Sequence, residues 1–143
     1  MAEKSYADRD VLDKLGIRAG MRVRTEGPVP PELLERIRAV EDVEIVALSH
    51  EEPVHVAILR LSALSEAKPV LARLRKAIVP AGAIWVLTGR KGAPDYVKQE
   101  SLIPLGKAVG LVDNKSASID EGTSGIRFVI PLAQREKPKP NFG

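Results

Sequence analysis

Two patterns of apolar residues alternate along the chain. One is a short run of mostly apolar residues, and the other is a longer segment in which apolar residues recur with the period of a helix. The runs lie at 43–48, 54–59 and 83–87, and the run at 54–59 is nearly all apolar, as in a strand covered on both faces of a sheet. Between the runs, apolar side chains recur every three or four residues, as on the buried face of a helix. Strands that alternate with helices predict a mainly parallel sheet with right-handed crossovers and helices on both faces.

Glycine and proline mark the ends of the first two predicted helices. A short helix over 8–15 stops at Gly16, which tolerates the backbone conformation that ends a helix. The second helix opens at Pro31, because the N–H that proline lacks would be unbonded in the first turn of any helix. Its apolar stripe comprises Leu33, Leu34, Ile37 and Val40.

The third predicted helix has the clearest pattern in the chain. Pro69 falls in its first turn, Pro80 and Gly82 are expected to stop it, and its apolar stripe comprises Leu64, Ala67, Leu71, Leu74 and Ile78. A weaker helix is predicted over 95–109, bent or broken at Pro104.

The last part of the chain predicts an antiparallel hairpin, with strands at 112–119 and 125–132 joined by the polar stretch 120–124. Together with a first strand at 21–25, the pattern predicts a three-layer, Rossmann-like α/β fold. We expect a mainly parallel, six-stranded sheet in which the strand at 54–59 is central and the closing hairpin adds an antiparallel strand.

Length and composition narrow the domain organisation and the classes of function. We expect residues 1–132 to form a single domain and the proline-containing tail 133–143 to be disordered. The absence of cysteine excludes thiol catalysis, iron–sulfur clusters and cysteine-ligated zinc, and the two histidines, His50 and His55, are too few for a histidine-rich metal site. No membrane span and no signal peptide are recognisable, so we expect a cytoplasmic protein.

Charge is distributed unevenly along the chain. The first 71 residues hold 10 Lys and Arg against 13 Asp and Glu, whereas the remaining residues hold 12 against 6. The basic half could attract phosphate or nucleic acid. Its cations are scattered, however, and aromatic residues make up only 3% of the chain, which disfavours nucleic-acid binding. The expected partner is a small anionic ligand or another protein.

Several short motifs are spread over nearly the whole chain: Leu15-Gly16-Ile17, Ala19-Gly20-Met21-Arg22-Val23, Leu74-Arg75, Pro80-Ala81-Gly82-Ala83-Ile84-Trp85-Val86, Gly110-Leu111-Val112-Asp113, and Asp120-Glu121 with Ser124-Gly125. In these motifs the chain resembles a family of small bacterial proteins of unknown function. Its last three strands, with the proline–glycine segment before the strand at 83–87, also resemble the class I methyltransferase fold. The methyltransferase resemblance implies a Rossmann-like fold whose six strands follow the order 2-1-3-4-6-5, with the last strand antiparallel to its neighbours, as in a methyltransferase sheet that lacks one edge strand. The resemblance to the small bacterial family implies no particular activity.

The segment after the first strand departs from a methyltransferase cofactor site. Such a site needs glycines for close backbone approach, and an acid after the second strand for the ribose hydroxyls. Here Gly27 stands alone between Glu26 and Pro28, the acids at 51–52 come after the strand tip, and only residues 49–53 lead to the next strand. We therefore predict no bound cofactor and no appreciable binding of S-adenosylmethionine. The alternative is an S-adenosylmethionine-dependent methyltransferase with a degenerate cofactor loop.

Two polar clusters are candidates for a ligand site. The loop 88–92 follows a central strand, at the edge where open α/β sheets bind ligands, and its cations suit a phosphate or a carboxylate. The turn 120–124 supplies a second cluster, although its residue types are also those of ordinary turns. The predicted ligand-binding residues are Thr88, Arg90, Lys91, Asp120, Glu121 and Ser124. No nucleophile is paired with a recognisable base, so no catalytic residue is predicted, and the function predicted first is a non-enzymatic binding or interaction module.

Overall fold

The computed structural model describes residues 11–46 and 52–135. Residues 11–15 are helical, and single 3₁₀ turns lie at Leu64–Glu66 and Leu132–Gln134. The main helices are α1 (Pro31–Arg38), α2 (Ala67–Ala77) and α3 (Gln99–Ala108). The strands are β1 (Arg22–Glu26), β2 (Glu44–Val46), β3 (Val54–Arg60), β4 (Ile78–Gly89), β5 (Val112–Asp120) and β6 (Thr123–Val129). The predicted disordered tail lies mostly outside the described residues and stays a prediction.

The described strands form one sheet in the order β2-β1-β3-β4-β6-β5. β2, β1, β3 and β4 are parallel to their neighbours in this series, whereas β6 runs antiparallel to both β4 and β5. β3 lies inside the sheet, and its residues 56–59 are buried. The predicted strand order, the antiparallel last strand and the central position of the apolar run at 54–59 are all confirmed.

Each face of the sheet is covered by its own helices. One face, here called the α3 face, packs against α2 and α3 and buries Ile84, Val86 and Phe128. The other, the α1 face, packs against α1 and residues 11–15 and buries Trp85. The indole Nε1–H of Trp85 donates to the carbonyl oxygen of Leu15 at 3.1 Å, so this fully buried side chain also fastens the N-terminal helical segment. Among the described residues, no helix is long and apolar enough to span a membrane.

β4 begins earlier than the sequence predicts. Pro80 and Gly82 lie inside the strand and not in a turn before it, because Ile78 already adopts an extended conformation (φ −108°, ψ 154°). Pairing with β3 passes from Val54 opposite Ile78 directly to Val56 opposite Ala83, so residues 79–82 bulge out of the ladder. A Cβ on Gly82 would lie 2.8 Å from the carbonyl oxygen of His55, which shows why glycine suits this bulge.

Three other boundaries differ from expectation. Leu64 is 40% exposed, because it lies in the 3₁₀ turn before α2 and not on the buried stripe of that helix. α3 begins at Gln99 and continues through Pro104. The hairpin connection is only the two residues 121–122, since Asp120 pairs with Thr123.

Candidate functional site

A polar groove runs between the first turns of α3 and the α3 face of β4, β6 and β5. We define the polar groove by Thr88, Lys91, Lys98, Gln99, Ser118 and Ser124. Its widest part has a volume of about 480 Å³ and is lined by all of these residues except Ser118. Narrower spaces of about 280 and 270 Å³ share Gln99 with the widest part and extend along β5 past Ser116 to Lys115. The groove is therefore elongated along the sheet.

A row of three hydroxyls forms the floor of the groove. Thr88 of β4 is directly opposite Ser124 of β6, and Ser124 is directly opposite Ser118 of β5. Directly opposed residues project from the same face of a sheet, and here this is the face under α3. Thr88 is 1% exposed, and its hydroxyl has no hydrogen-bond partner in the part of the chain that the structure describes. Burying a hydroxyl without a hydrogen-bond partner costs free energy, and a ligand that bonded to it would remove this cost. Since Thr88 lines the groove, its hydroxyl can form such a bond there.

The N-terminus of α3 lies at the same place. Lys98 precedes the helix in an extended conformation and supplies no side-chain cap. The N–H of Ser101 is bonded to the carbonyl oxygen of Lys98 at 2.9 Å, but Gln99 and Glu100 lie in the first turn, whose N–H groups have no partner within the helix. The partial positive charge of a helix N-terminus favours anions. Glu100 also lines the groove, where its carboxylate is 3.4 Å from the Lys98 ammonium and partly offsets that charge.

Of the two predicted cations, the Arg90 side chain forms hydrogen bonds to other described residues, and the Lys91 side chain forms none within the described part of the chain. The Arg90 Nε–H donates to the Asp120 carbonyl oxygen at 3.1 Å, and its Nη2 donates to the Ser118 hydroxyl. The Arg90 backbone N–H donates to the Gly122 carbonyl oxygen at 3.1 Å. Arg90 therefore holds the β5–β6 turn against the end of β4. Lys91 is exposed and lines the groove, so it is the more available cation of the two.

The predicted cluster at 120–124 is divided by the structure. Ser124 lies in the groove with Thr88. Asp120 stabilises its own turn, because its carboxylate accepts the Gly122 N–H at 2.8 Å, and it borders a small space of about 60 Å³ beside α1. Glu121 is exposed in the turn itself. The structure thus brings together Thr88, Lys91 and Ser124, with Arg90 at the wall, and leaves Asp120 and Glu121 apart.

Three residues that line the groove were not predicted from the sequence: Lys98, Gln99 and Ser118. Lys98 and Gln99 fell inside a helix predicted over 95–109, so the true start of α3 was hidden. The alternation of Ser116 and Ser118 with apolar Ala117 and Ile119 was the available signal, because it marks a strand with one polar face.

The crevice between β1 and β3 is the second place where this topology could hold a ligand, because the strand order reverses there. Gly27, just after β1, has φ +77°, and a Cβ at this position would overlap the carbonyl oxygen of Arg60. The Val29 N–H donates to the Gly27 carbonyl oxygen at 2.8 Å, and the prolines at 28, 30 and 31 have no N–H. The loop therefore packs on its own chain and does not fit a cofactor held by backbone donors of a glycine-rich loop.

The carboxylate at the end of β1 is also engaged within the chain. Glu26 accepts hydrogen bonds from Arg73 of α2 at 2.7 and 2.8 Å and from the Nε–H of Arg24 at 3.1 Å. The hydrogen bonds from Arg73, joined by attraction to both guanidinium groups, outweigh partial burial and lower the pKa of Glu26. The same hydrogen bonds raise the pKa of Arg73. This cluster ties the end of β1 to α2.

A second ion pair lies at the same end of the parallel strands as the Glu26 cluster. Arg60, at the end of β3, pairs with Asp95 at 2.8 Å and donates to the Leu61 carbonyl oxygen at 3.0 Å. Asp95 lies so close to Gly89 that a Cβ on this glycine would overlap its carboxylate. The segment after β4 is thereby held across the ends of β3 and β4.

In the two described stretches of chain, no group of three or more His, Cys, Asp or Glu side chains could hold a metal ion. The Nδ1 atom of His55 accepts the backbone N–H of Arg22 at 2.9 Å, which makes this histidine part of the β1–β3 contact. His50 lies outside the described residues.

No protein-family model matches the sequence, and no curated protein matches it. Solved structures do match. A TehB-like S-adenosylmethionine-dependent methyltransferase from Corynebacterium glutamicum is 12% identical with a TM-score of 0.56, and the match covers 87% of each chain. An S-adenosylmethionine-dependent methyltransferase from Aquifex aeolicus is 14% identical with a TM-score of 0.60, over 87% of this chain and 89% of that one.

The [4+2]-cyclase SpnF is also similar, with 10% identity and a TM-score of 0.63 over 89% of this chain and 81% of that one. At such identities the matches establish the fold, which is that of the class I methyltransferases, as the sequence resemblance implied. The presence of a cyclase among the similar structures shows that this fold is not tied to one reaction.

Proposed function

We propose that the chain binds a small anionic molecule in the polar groove, and that S-adenosylmethionine-dependent methylation is the reaction class favoured for it. The observation that carries the binding site is the position of Thr88. Its buried hydroxyl has no partner among the described residues and lies in the same space as the uncapped N-terminus of α3. Two independent sources of unused hydrogen-bonding capacity thus converge on one groove.

An anion suits this groove because donors outnumber acceptors. The first-turn N–H groups of α3 and the hydroxyls of Thr88 and Ser124 can all donate, and Lys91 and Lys98 add positive charge. Glu100 opposes part of this charge from an exposed position, with 77% of its side chain accessible, so water screens it well. A ligand with one anionic group therefore fits the balance of charge.

Methyl transfer is supported by the solved structures, which favour it over binding without chemistry. Two of the three similar proteins described above are S-adenosylmethionine-dependent methyltransferases that match most of this chain. The loop after β1 argues against the usual mode of cofactor binding, since Gly27 contacts Arg60 and the prolines at 28, 30 and 31 remove donors. Methylation would thus require a cofactor held by groups other than a glycine-rich loop.

Isothermal titration calorimetry with S-adenosylmethionine and, separately, with inorganic phosphate tests both parts of the proposal. We expect phosphate to bind the wild-type chain and to bind the Thr88→Val variant at least about fivefold more weakly, as for one lost hydrogen bond to an anion. Micromolar affinity for S-adenosylmethionine supports methyl transfer. Its absence, with phosphate binding retained, supports anion binding without methylation, and unchanged phosphate affinity in Thr88→Val contradicts the assigned groove.

A further inference from the structure

The geometry points to a phosphorylated polyol, such as a sugar phosphate, as the class of ligand that the polar groove takes. This inference rests on the proposed function and specifies its ligand. The phosphate would lie at the N-terminus of α3 beside Lys91 and Lys98, and the hydroxyl-bearing carbon chain would lie over the serine residues of β6 and β5.

The shape of the groove calls for more than a bare anion. Adjacent strands are about 4.8 Å apart, so the row from Thr88 through Ser124 to Ser118 spans about 10 Å. The narrower spaces continue past Ser118 to Ser116, away from Lys91 and Lys98. A phosphate at one end would leave most of this row without contacts, whereas an extended ligand would use it.

The chemistry of the row matches ligand hydroxyls. Ser124 and Thr88 can each donate and accept, as a sugar hydroxyl does, and the Gln99 amide adds a donor and an acceptor from the opposite wall. Ser118 already receives the Arg90 guanidinium, so its hydroxyl is oriented by that contact. A groove lined by both hydrogen-bond donors and hydrogen-bond acceptors favours a hydroxylated ligand over an apolar one.

The same surroundings disfavour two other kinds of anion. An aromatic ligand such as a nucleotide base is held best between stacking side chains, but among the described residues that line the groove only Tyr96 is aromatic. At the far end the charge of Lys115 is balanced by Asp113, so no net positive charge remains there for a second phosphate. A ligand with one phosphate followed by uncharged hydroxyls fits both ends of the groove.

The test is calorimetry on the full chain with four probes: inorganic phosphate, ribose 5-phosphate, ribose and glycerate. We expect ribose 5-phosphate to bind at least about tenfold more tightly than phosphate, because its hydroxyls add hydrogen bonds that phosphate alone does not make. Ribose alone should not bind measurably. Ser124→Ala should weaken ribose 5-phosphate binding about fivefold more than it weakens phosphate binding, whereas Lys98→Gln should weaken both equally.

The outcomes separate this inference from the proposal beneath it. Equal affinity for phosphate and ribose 5-phosphate overturns the polyol assignment and leaves the anion site standing. Tighter binding of glycerate than of ribose 5-phosphate would show that the site takes a carboxylate and would overturn the assignment of a phosphate. If none of the four probes binds while wild type and variants are folded and melt at the same temperature, the groove is not an anion site and both claims fail.

Discussion

Gly27 and Arg60 are in such close backbone contact across the crevice between β1 and β3 that a Cβ on Gly27 would overlap the Arg60 carbonyl oxygen. Open α/β sheets commonly bind ligands at this point, where the strand order reverses. In this chain the close approach that a glycine permits is made to the protein itself. The unused hydrogen-bonding groups lie beyond β3, on β4 and β6, where Thr88 and Ser124 face the start of α3.

Replacing Gly27 by alanine tests this contact. We expect Gly27→Ala to lower the free energy of unfolding by about 2–4 kcal/mol, because the new methyl adds a backbone overlap to an unfavourable positive φ. Gly92→Ala is the matched control, since Gly92 also has a positive φ but no atom within 4 Å of its added Cβ. It should cost only about 1 kcal/mol in urea denaturation. Equal losses in the two variants would show that the contact with Arg60 is unimportant.

Arg90 and Lys91 should behave oppositely although they are neighbours. Arg90→Ala removes the contacts to Asp120 and Ser118, and we expect a loss of about 1 kcal/mol of stability through loosening of the hairpin turn. Lys91→Ala should change stability by less than about 0.5 kcal/mol and weaken phosphate binding. Thermal denaturation and calorimetry on each variant distinguish these effects. A stable Arg90→Ala variant with weakened anion binding would assign Arg90 to the ligand and not to the turn.

The cluster of Glu26, Arg24 and Arg73 should make stability depend on pH. The pKa of Glu26 is lowered in the folded chain, so its contribution is fully present above its ordinary value of 4.5 and is lost as pH falls through the lower folded value. We expect Glu26→Gln to cost about 1–2 kcal/mol at neutral pH, since Arg73 is half exposed and screened. The difference from wild type should shrink below pH 4.5, whereas exposed Glu41→Gln should show little difference at any pH. A gap that stays constant on acidification would rule out this linkage.

Gly106 of α3 should resist replacement for a packing reason. Alanine normally stabilises a helix interior by about 1 kcal/mol relative to glycine. Here the added Cβ would overlap the ring of Phe128, which is fully buried, so we expect Gly106→Ala to be destabilising by about 1–2 kcal/mol. Lys107→Ala, on the exposed side of the same helix, should be nearly neutral. Stabilisation by Gly106→Ala in chemical denaturation would mean that the ring moves aside freely.

The strands and helices were predictable from sequence because the burial of each element determines the local pattern of its apolar residues. The apolar run at 54–59 marks a strand covered on both faces, and the helical stripe through Leu71 and Leu74 marks the crossover that leads to the parallel strand β4. These patterns, with the closing hairpin, were sufficient to predict the strands and their directions, whereas the strand order was predicted from the resemblance to a methyltransferase sheet. The position of Pro80 and Gly82 was not predictable in the same way, because their place inside β4 depends on a bulged pairing with β3.

The site was only partly predictable, because its geometry depends on pairing between distant strands. The three hydroxyls of Thr88, Ser124 and Ser118 become a row only once the register of β4, β6 and β5 is known. The role of Arg90 likewise depends on Ser118, 28 positions along the chain. Lys98 is not one of the residue types that mark a helix start, so the uncapped end of α3 left no sequence signal.

The most direct test of the account is a phosphate titration of the ¹⁵N-labelled chain, followed by backbone amide resonances in NMR. If the polar groove is the anion site, the largest shifts will fall on the amides of Gln99, Glu100 and Thr88, and they will be much reduced in Thr88→Val. Shifts centred on Gly27 and its neighbours, or no saturable shifts at all, would contradict the assignment of the anion site to the groove at the start of α3.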